Sequence, residues 1–375
     1  MPDTHLQELH PSDPAVCVLQ PLERTGPHSS PPHTALVHHI TMAQEDTTTS
    51  AQPRTSSNPL PTAIEHFNLS AAHYERSTGG CTRQLARALL SLPALRSLFA
   101  DPSAAVLLDN ACGTALVTEE VVLRCRRDAA RASASSSSGG GSSGSGSGAA
   151  VPLPRIHAVD PAANMIDLAR AKLTALGLTD GDEEETTRAA ATCAVMPGEK
   201  LTFPDALFTH SITNLGILFF DDAAAGAREI HRTLRPGSGS VAVVTSWADV
   251  GYVEHVLRPA ARVARPHDPP FELPIQKRWF DPAHVERCLR EDGGFADVEV
   301  SEQVVHYGAD TVESLRGMLL DTFTMLWRDW SDAEKDTFEA AILERLREAT
   351  EPYTMVDGDP GVGIRMRAIV AVCRK

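Results

Sequence analysis

The chain has 375 residues, of which 42% are hydrophobic, and its 34 Lys and Arg against 49 Asp and Glu give a formal charge of −15. This length and apolar content exclude a wholly disordered protein and allow one large domain or two domains of ordinary size. The acidic balance argues against a general nucleic-acid-binding protein, which would need a basic face.

Cysteine usage and the absence of long apolar runs indicate a compartment. The seven cysteines are scattered and form no CxxC pair, which favours reduced thiols over a disulfide framework or a zinc site. No apolar run reaches the roughly 18 residues of a transmembrane helix, and the N-terminus lacks the pattern of a secretory signal. We therefore expect a cytoplasmic protein with no membrane partner and no metal.

Two segments have a strongly biased composition. Residues 1–60 are rich in Pro, Ser, Thr and His and lack apolar periodicity, so we predict a disordered tail. Residues 132–150 are mostly Ser and Gly and predict a disordered surface insertion. Residues 61–375 then form one folded domain. Met42 offers a second plausible start, so residues 1–41 need not belong to the mature protein.

The folded part opens with helical spacing and continues with alternating strands and helices. Helices are predicted within residues 63–100, the clearest at 82–92, where apolar residues recur at helical intervals before Pro93. Short apolar runs then predict buried parallel strands at 104–109, 155–160, 189–195, 206–213 and 240–247. Helical patterns from residue 118, after Pro161 and at 222–234 lie between them, and such repeated units predict a parallel sheet covered on both faces.

The pattern changes after Trp247. Helices are predicted at 252–263, 282–291, 314–330 and 332–349, a strand at 296–305 and a closing apolar strand at 366–372. Residues 248–375 therefore form a C-terminal part that differs from the repeated units before it.

Two carboxylates end neighbouring predicted strands, Asp109 and Asp160. Parallel sheets bind ligands beyond the carboxyl ends of their strands. Residues 110–115 form a turn of small residues around Gly113, which lets backbone N–H groups approach a ligand, and a carboxylate at the end of the following strand can accept both hydroxyls of a ribose. The pattern therefore predicts a site for an adenosine-containing cofactor.

The residues in and after this turn indicate which adenosine-containing cofactor the site would bind. It has one glycine rather than the GxGxxG of a nicotinamide site, and Glu119 and Glu120 in the first turn of the next helix would repel a pyrophosphate. A cofactor with a cationic sulfonium and a free amino-acid end tolerates nearby acid better. Asp109 is placed to take the amino group of such a ligand, directly or through water.

At this point the sequence resembles a known family. Residues 106–115 (VLLDNACGTA) resemble motif I of the class I S-adenosylmethionine-dependent methyltransferases, and residues 158–165 (AVDPAANM) resemble their second motif. Residues 199–211 and 229–237 resemble the loop, strand and turn that follow. The resemblance implies an α/β, Rossmann-like sandwich with a mostly parallel seven-stranded sheet, helices on both faces and an antiparallel C-terminal strand. The residues of these segments are similar to those of fungal specialised-metabolite methyltransferases in particular.

The resemblance also implies roles for particular residues. Asp160 would hold the ribose, Met165 would pack on the adenine, and Tyr74 would belong to an N-terminal lid formed by residues 63–100. The cofactor-binding set predicted from the strand tips and the resemblance together is Asp109, Ala111, Cys112, Gly113, Asp160, Met165, Met196 and Tyr74. One departure is that Pro197 stands where the family has an acid against the adenine amine, so Glu199 or backbone near Met196 would replace it.

The acceptor is expected on the other side of the cofactor. Asn214 follows the fourth predicted strand and Trp247 ends the fifth, which makes both candidate substrate contacts. The N-terminal helices and residues 248–375 would shape the pocket, and the aromatic residues of the latter suit a hydrophobic small molecule. Methyl transfer is an in-line displacement driven by proximity and orientation, and a base is needed only if the acceptor must lose a proton. No catalytic residue is therefore named.

We expect an S-adenosylmethionine-dependent methyltransferase that acts on an O or N atom of a hydrophobic small molecule in specialised metabolism. Two alternatives stay open. One is a methyltransferase-fold protein without transfer activity, acting as a regulator or a cyclising catalyst. The other is a nicotinamide oxidoreductase, against which the missing GxGxxG counts.

Overall fold

The structure, a computed structural model, describes residues 62–137, 151–178, 190–237 and 239–375. The predicted tail, residues 1–60, lies outside the described residues. So do residues 138–150, which make up most of the predicted Ser/Gly-rich insertion.

Within residues 62–105, four α-helices precede the sheet: α1 (Ala63–Ser70), α2 (Tyr74–Ser77), α3 (Cys81–Leu90) and α4 (Arg96–Ala100). Thr62 and Glu65 form a capping box at the start of α1, in which each side chain accepts from the other's backbone N–H. Helix α1 has no buried residue, whereas α3 buries Leu85, Leu89 and their neighbours on one face. The core therefore holds α3 firmly and α1 only weakly.

In the part of the chain that the structure describes, eight strands form one sheet in the order β3-β2-β1-β4-β5-β8-β6, with β7 paired to β8. The strands are β1 (Val106–Asn110), β2 (Arg155–Asp160), β3 (Ala191–Val195), β4 (His210–Thr213), β5 (Val241–Asp249), β6 (Asp297–Ala309), β7 (Thr350–Thr354) and β8 (Pro360–Arg374). Strands β1 to β5 pair in parallel, and β8 runs antiparallel to β5 and β6. The predicted α/β class, the mostly parallel sheet and the antiparallel C-terminal strand are confirmed. Strand β7 is an eighth strand that the sequence analysis did not predict.

Helices flank the sheet: α5 (Leu116–Ser137), α6 (Ala163–Ala175), α7 (Ala223–Thr233), α8 (Arg258–Ala264), α9 (Pro282–Arg287), α10 (Val312–Thr322), α11 (Thr324–Trp327) and α12 (Asp332–Ala349). Helix α5 continues into residues 132–137, the start of the predicted insertion. The single helix predicted at 314–330 is divided at Phe323 into α10 and α11. Two π-helical turns, Val253–Leu257 and Cys288–Asp292, precede α8 and follow α9.

The central strands are buried on both faces, which explains why their sequences read as continuous apolar runs. Leu107, Ile212 and Val243 belong to the main core, while Leu108 and Val159 point to a smaller core on the opposite side. Among the described residues, none of the helices has the length and apolar content needed to span a membrane.

Candidate cofactor site

The carboxyl ends of β1 and β2 are adjacent. The two strands pair in parallel with Asp109 opposite Ala158 and Asn110 opposite Val159, so that Asp160 is the next residue along β2. The two carboxylates that the sequence analysis placed at neighbouring strand tips therefore lie on neighbouring strands, at the side of the sheet where the carboxyl ends of the parallel strands meet.

Asp160 ties the end of β2 to the turn after β1. Its Oδ2 accepts the backbone N–H of Gly113 at 2.9 Å, and its Oδ1 accepts that of Ala162, also at 2.9 Å. The side chain is mostly buried, and burial raises the pKa of this carboxyl group, against the effect of the two backbone hydrogen bonds. Each oxygen has a second lone pair, so the carboxylate is held in place and can still accept hydroxyl groups.

Asp109 has one satisfied and one unsatisfied oxygen. Its Oδ2 accepts the backbone N–H of Thr118 at 3.1 Å and the hydroxyl of Thr118 at 2.7 Å, in the first turn of α5. The residue is 1% exposed, and Oδ1 has no hydrogen-bond partner among the described residues. Burial raises the pKa of Asp109 to about 6, although the Thr118 bonds lower it. A buried, unpartnered carboxylate oxygen is costly, and a ligand ammonium group would satisfy it.

The turn after β1 has an unusual backbone. Ala111, Gly113 and Ala115 have φ angles of 55°, 54° and 58°. Glycine adopts this left-handed region freely, whereas alanine pays a steric cost there. Ala111 and Ala115 thus keep the backbone conformation that favours glycine. Alanine at these two positions adds strain to the turn and leaves its backbone conformation unchanged.

Cys112 lies inside the same turn. Its backbone N–H donates to the carbonyl of Val159 at 2.9 Å, and the side chain is buried. Burial raises the pKa of its thiol well above the ordinary value. A neutral buried thiol is a poor nucleophile, so the residue acts as a small turn residue.

Tyr74, the predicted lid residue, lies over the turn. A Cβ built on Gly113 would stand 3.8 Å from Cε1 of Tyr74. The next residue, Glu75, accepts hydrogen bonds from the Thr114 hydroxyl at 2.6 Å and from Arg83 at 2.7 Å. Its carboxylate also contacts the ammonium group of Lys172.

These contacts make Glu75 a hub between α2, α3, α6 and the turn. Burial raises its pKa, but the bonds from Lys172, Thr114 and Arg83 outweigh this and bring it to about 2. Arg83 continues the network to Glu119 at 2.7 Å and to Glu120 at 2.8 Å. The two glutamates that the sequence analysis read as repelling a pyrophosphate are therefore ion-paired partners of α3.

Met165 faces the N-terminal helices. It is 1% exposed and packs with Ala71, Ala162, Phe67 and Tyr74. The Phe67 ring makes edge contacts with Tyr74 at 6.0 Å and with Phe219 at 5.1 Å between ring centroids. The sequence analysis did not assign Phe67 or Phe219 to the site, because single aromatic residues in a helix and a loop give no motif.

A pair of amides fastens α1 to α6. The backbone N–H of Asn164 donates to Oδ1 of Asn68 at 2.9 Å, and the Asn164 amide donates to the carbonyl of Asn68 at 3.0 Å. Residue Ala162, at the N-cap of α6, provides no side-chain cap. Asn68 therefore supplies, from another helix, one of the acceptors that a helix N-terminus needs.

The residues predicted to replace the missing acid are already engaged. The backbone N–H of Met196 donates to the carbonyl of Asp160 at 3.0 Å, and the Met196 side chain packs on the smaller core. Glu199 accepts the backbone N–H of Asp221 at 3.2 Å. Both bonds bind the loop after β3 to its neighbours.

The two residues predicted to contact the acceptor are also engaged within the fold. The Asn214 amide donates to the carbonyl of Thr82 at 3.3 Å and accepts the hydroxyl of Thr245 at 3.1 Å, which connects α3 to β5. Trp247 is 8% exposed and belongs to the main core. Their roles toward an acceptor stay predictions.

Comparison with known protein families gives a match over part of the chain. A family model described as a methyltransferase domain matches residues 139–243, a little over a quarter of the chain, beginning after β1 and its turn. The fold is that of a Rossmann-like methyltransferase. S-adenosylmethionine, the cofactor that the sequence predicted, is the methyl donor that a methyltransferase domain of this kind uses, and the match supports it. No curated protein matches the chain.

Solved structures with this methyltransferase architecture are distant. The [4+2]-cyclase SpnF is 15% identical, covers 84% of this chain and 96% of its own, and has a TM-score of 0.44. A phosphoethanolamine N-methyltransferase 2 of Haemonchus contortus, in complex with phosphomonomethylethanolamine and S-adenosylhomocysteine, is 14% identical over 84% of this chain and 61% of its own, with a TM-score of 0.41. A methyltransferase described as putative, from Bacillus halodurans, is 12% identical over 78% and 98%, with a TM-score of 0.39. At these values the likenesses carry no argument about activity.

The residues present fit the cofactor. Asp109 offers a buried oxygen that lacks a partner among the described residues, Asp160 is fixed with lone pairs to spare, and Gly113 leaves room beside the backbone. An ammonium group, a ribose and a backbone-contacting segment are the parts of S-adenosylmethionine that these three features suit.

Proposed function

We propose that this chain is an S-adenosylmethionine-dependent methyltransferase that methylates an O or N atom of a hydrophobic small molecule, in specialised metabolism. The buried oxygen of Asp109 is the single observation that carries the cofactor part. It is a carboxylate at a strand tip, next to a second fixed carboxylate, in a chain whose residues 139–243 match a methyltransferase domain model.

The chain's own residues would bind and orient rather than react. Asp109 would pair with the cofactor's ammonium group, Asp160 would accept the ribose hydroxyls, and Tyr74 would exclude water above Gly113. When bound, S-adenosylmethionine supplies a methyl group that is already activated by the sulfonium. Holding the acceptor atom in line with that methyl group, in a dry site, supplies most of the required rate enhancement.

The C-terminal part contains a group of aromatic rings that pack on one another in and against the main core. The Tyr252 ring lies 4.5 Å from Tyr307 and 5.5 Å from Phe323, and Phe271 lies 5.7 Å from Phe323, between ring centroids. These side chains belong to the C-terminal part that the sequence analysis assigned to the acceptor.

A histidine base is not part of this proposal. His210 begins β4 and pairs with Leu107, two residues before Asp109 on the neighbouring strand β1, so it lies toward the amino ends of the strands rather than at their carboxyl ends. It contacts Ser97 at 2.9 Å and Thr209 at 2.8 Å, and burial lowers its pKa to about 4. Its contacts support a structural role.

The test has two steps. Calorimetric titration with S-adenosylhomocysteine measures cofactor binding, and incubation with methyl-labelled S-adenosylmethionine and a cell extract then seeks a product heavier by one methylene. A labelled product that forms with the wild-type protein and disappears with Asp160→Ala supports the proposal. Failure of both the wild-type protein and Phe67→Ala, which removes the ring packed on Met165, to bind either form of the cofactor would refute it.

A second candidate is a cofactor-binding protein of this fold without transfer activity, as a regulator or a cyclising catalyst. The engagement of Asn214 and Trp247 within the fold favours it, since neither predicted acceptor contact is free. Binding of S-adenosylhomocysteine without any labelled product, across extracts and pH values, would select this candidate.

A further inference from the structure

The surfaces expected to touch the nucleobase are already covered. Met165 and Ala162, which follow the ribose-binding Asp160, are each 1% exposed. The side chains packed on them are Ala71, Phe67 and Tyr74, all from the N-terminal segment. A base and these side chains cannot occupy the same space.

Phe67 is the one of these side chains that makes the further contact with Phe219. Phe219 lies in the short helical turn Ile217–Phe219, which follows β4 and therefore starts from the same edge of the sheet as the Asp160 tip. The Phe67 ring packs with Met165 on one side and meets Phe219 at 5.1 Å, at an interplanar angle of 83°. A flat aromatic ring thus fills a gap between two apolar walls beside a ribose-binding carboxylate.

The helix that carries Phe67 is weakly held. Helix α1 has eight residues and none of them is buried, and isolated helices of this length are unstable in water. Leu69 and Ile64 on the same helix are 81% and 41% exposed. Besides the packing of the Phe67 ring, α1 is attached to α6 by the hydrogen-bonded Asn68–Asn164 pair, the side-chain bonds between these two helices found among the described residues. Few contacts must break for α1 to leave.

We propose that the Phe67 ring occupies the nucleobase subsite, whose walls are Met165 and Phe219, and that cofactor binding displaces Phe67 together with α1. Helix α1 is then an autoinhibitory strap. This inference rests on the proposed cofactor function and adds to it a second wall, Phe219, and a competing group within the chain.

Two variants weaken the strap through different contacts. Phe67→Ala removes the ring, and Asn68→Ala removes the side-chain acceptor of the Asn164 N–H. Because displacement opposes binding, each variant should bind S-adenosylhomocysteine more tightly, by about threefold to tenfold. This range corresponds to the loss of an aromatic contact in Phe67→Ala and of a hydrogen bond in Asn68→Ala. Ile64→Ala, on the exposed side of the same helix, is the matched control and should bind as the wild type does.

Amide hydrogen exchange provides a readout that needs no variant. On addition of saturating S-adenosylhomocysteine to the full-length wild-type protein, residues 63–70 should exchange faster, while the turn after β1 should exchange more slowly. If residues 63–70 become more protected, α1 closes over the cofactor instead, and the inference is wrong. Unchanged or weaker binding by Phe67→Ala would equally overturn it.

The outcome separates this inference from the proposed function. Binding by the wild type with no gain in Phe67→Ala overturns the strap and leaves the cofactor site intact. Binding by Phe67→Ala alone, with none by the wild type, supports the strap in its strongest form. Binding by neither protein overturns both proposals.

Discussion

Asp109→Asn tests the buried carboxylate at the centre of the site. In the folded protein the pKa of Asp109 is about 6, against an ordinary value of 3.8, and burial is the main cause. A difference of about 2 pKa units corresponds to about 3 kcal/mol. Because the residue is 1% exposed, solvent screening reduces this figure little. Asparagine removes the charge and keeps an oxygen for the two bonds from Thr118.

The sign of the pH dependence follows from which state binds the proton more tightly. Between about pH 4 and pH 6 the folded protein holds a proton on Asp109 that the unfolded chain has lost, so stability falls as pH rises through this window. Above pH 6 the carboxylate is ionised in both states and the cost is constant. The free energy of unfolding of Asp109→Asn should therefore match that of the wild type near pH 4 and exceed it by up to about 3 kcal/mol at pH 7.

Urea unfolding followed by circular dichroism from pH 4 to pH 8 measures this difference. Asp336→Asn, at an exposed carboxylate on α12, is the control substitution. The same Asp109→Asn protein should bind S-adenosylhomocysteine more weakly, since the ammonium group loses its partner. A variant that is less stable than the wild type at pH 7, or that binds the cofactor normally, would refute the reasoning.

Three further changes test other parts of the site. Asp160→Ala should abolish binding of S-adenosylhomocysteine in calorimetry while thermal unfolding stays cooperative; normal binding would show that the ribose assignment is wrong. Ala111→Gly, at a φ of 55°, should raise the free energy of unfolding by about 1 kcal/mol, and an unchanged melting temperature would argue against strain there. Glu75→Gln should destabilise the protein by about 1–2 kcal/mol at pH 7, a value discounted because the carboxylate is 35% exposed. Since the folded pKa of Glu75 is about 2, that difference should shrink as pH falls from about 4.5 toward 2, and a constant difference would contradict the ion-pair account.

The strands around the site were predictable because burial on both faces gives apolar runs. Strand β2 was predicted with its observed bounds, Arg155–Asp160, which placed Asp160 at its carboxyl end. Strand β1 was predicted at 104–109 and is observed at Val106–Asn110, so Asp109 is its penultimate residue. Strand β7 was missed because its residues are largely exposed and include Pro352 in place of an apolar run. The break at Phe323 was missed because apolar spacing continues across it, so periodicity alone cannot show that one helix ends and another begins.

The contacts of the site were less predictable than its position. The Asn214 amide meets Thr82, which is 132 residues earlier in the chain, and Glu75 meets Lys172, which is 97 residues later. Neither pair has a local sequence signal, since each depends on how helices pack against the sheet. For the same reason, the sequence placed Glu119 and Glu120 near a ligand but could not show that Arg83 neutralises them.

Asp109 and Phe67 are predicted to change cofactor affinity in opposite directions, and the two effects can be measured separately. The unpartnered oxygen of Asp109 favours binding, because the ligand satisfies it, while Phe67 opposes binding, because it must leave. Asp109 faces α5 through Thr118, and Phe67 faces α6 through Met165, so the two sites have no shared partner in these contacts. Substitutions at independent sites add within about 0.5 kcal/mol. For the double variant Asp109→Asn, Phe67→Ala, the change in the free energy of S-adenosylhomocysteine binding should therefore equal the sum of the changes in the two single variants. A larger deviation would mean that the two residues act through a common element, for which Tyr74 over Gly113 is the structural candidate.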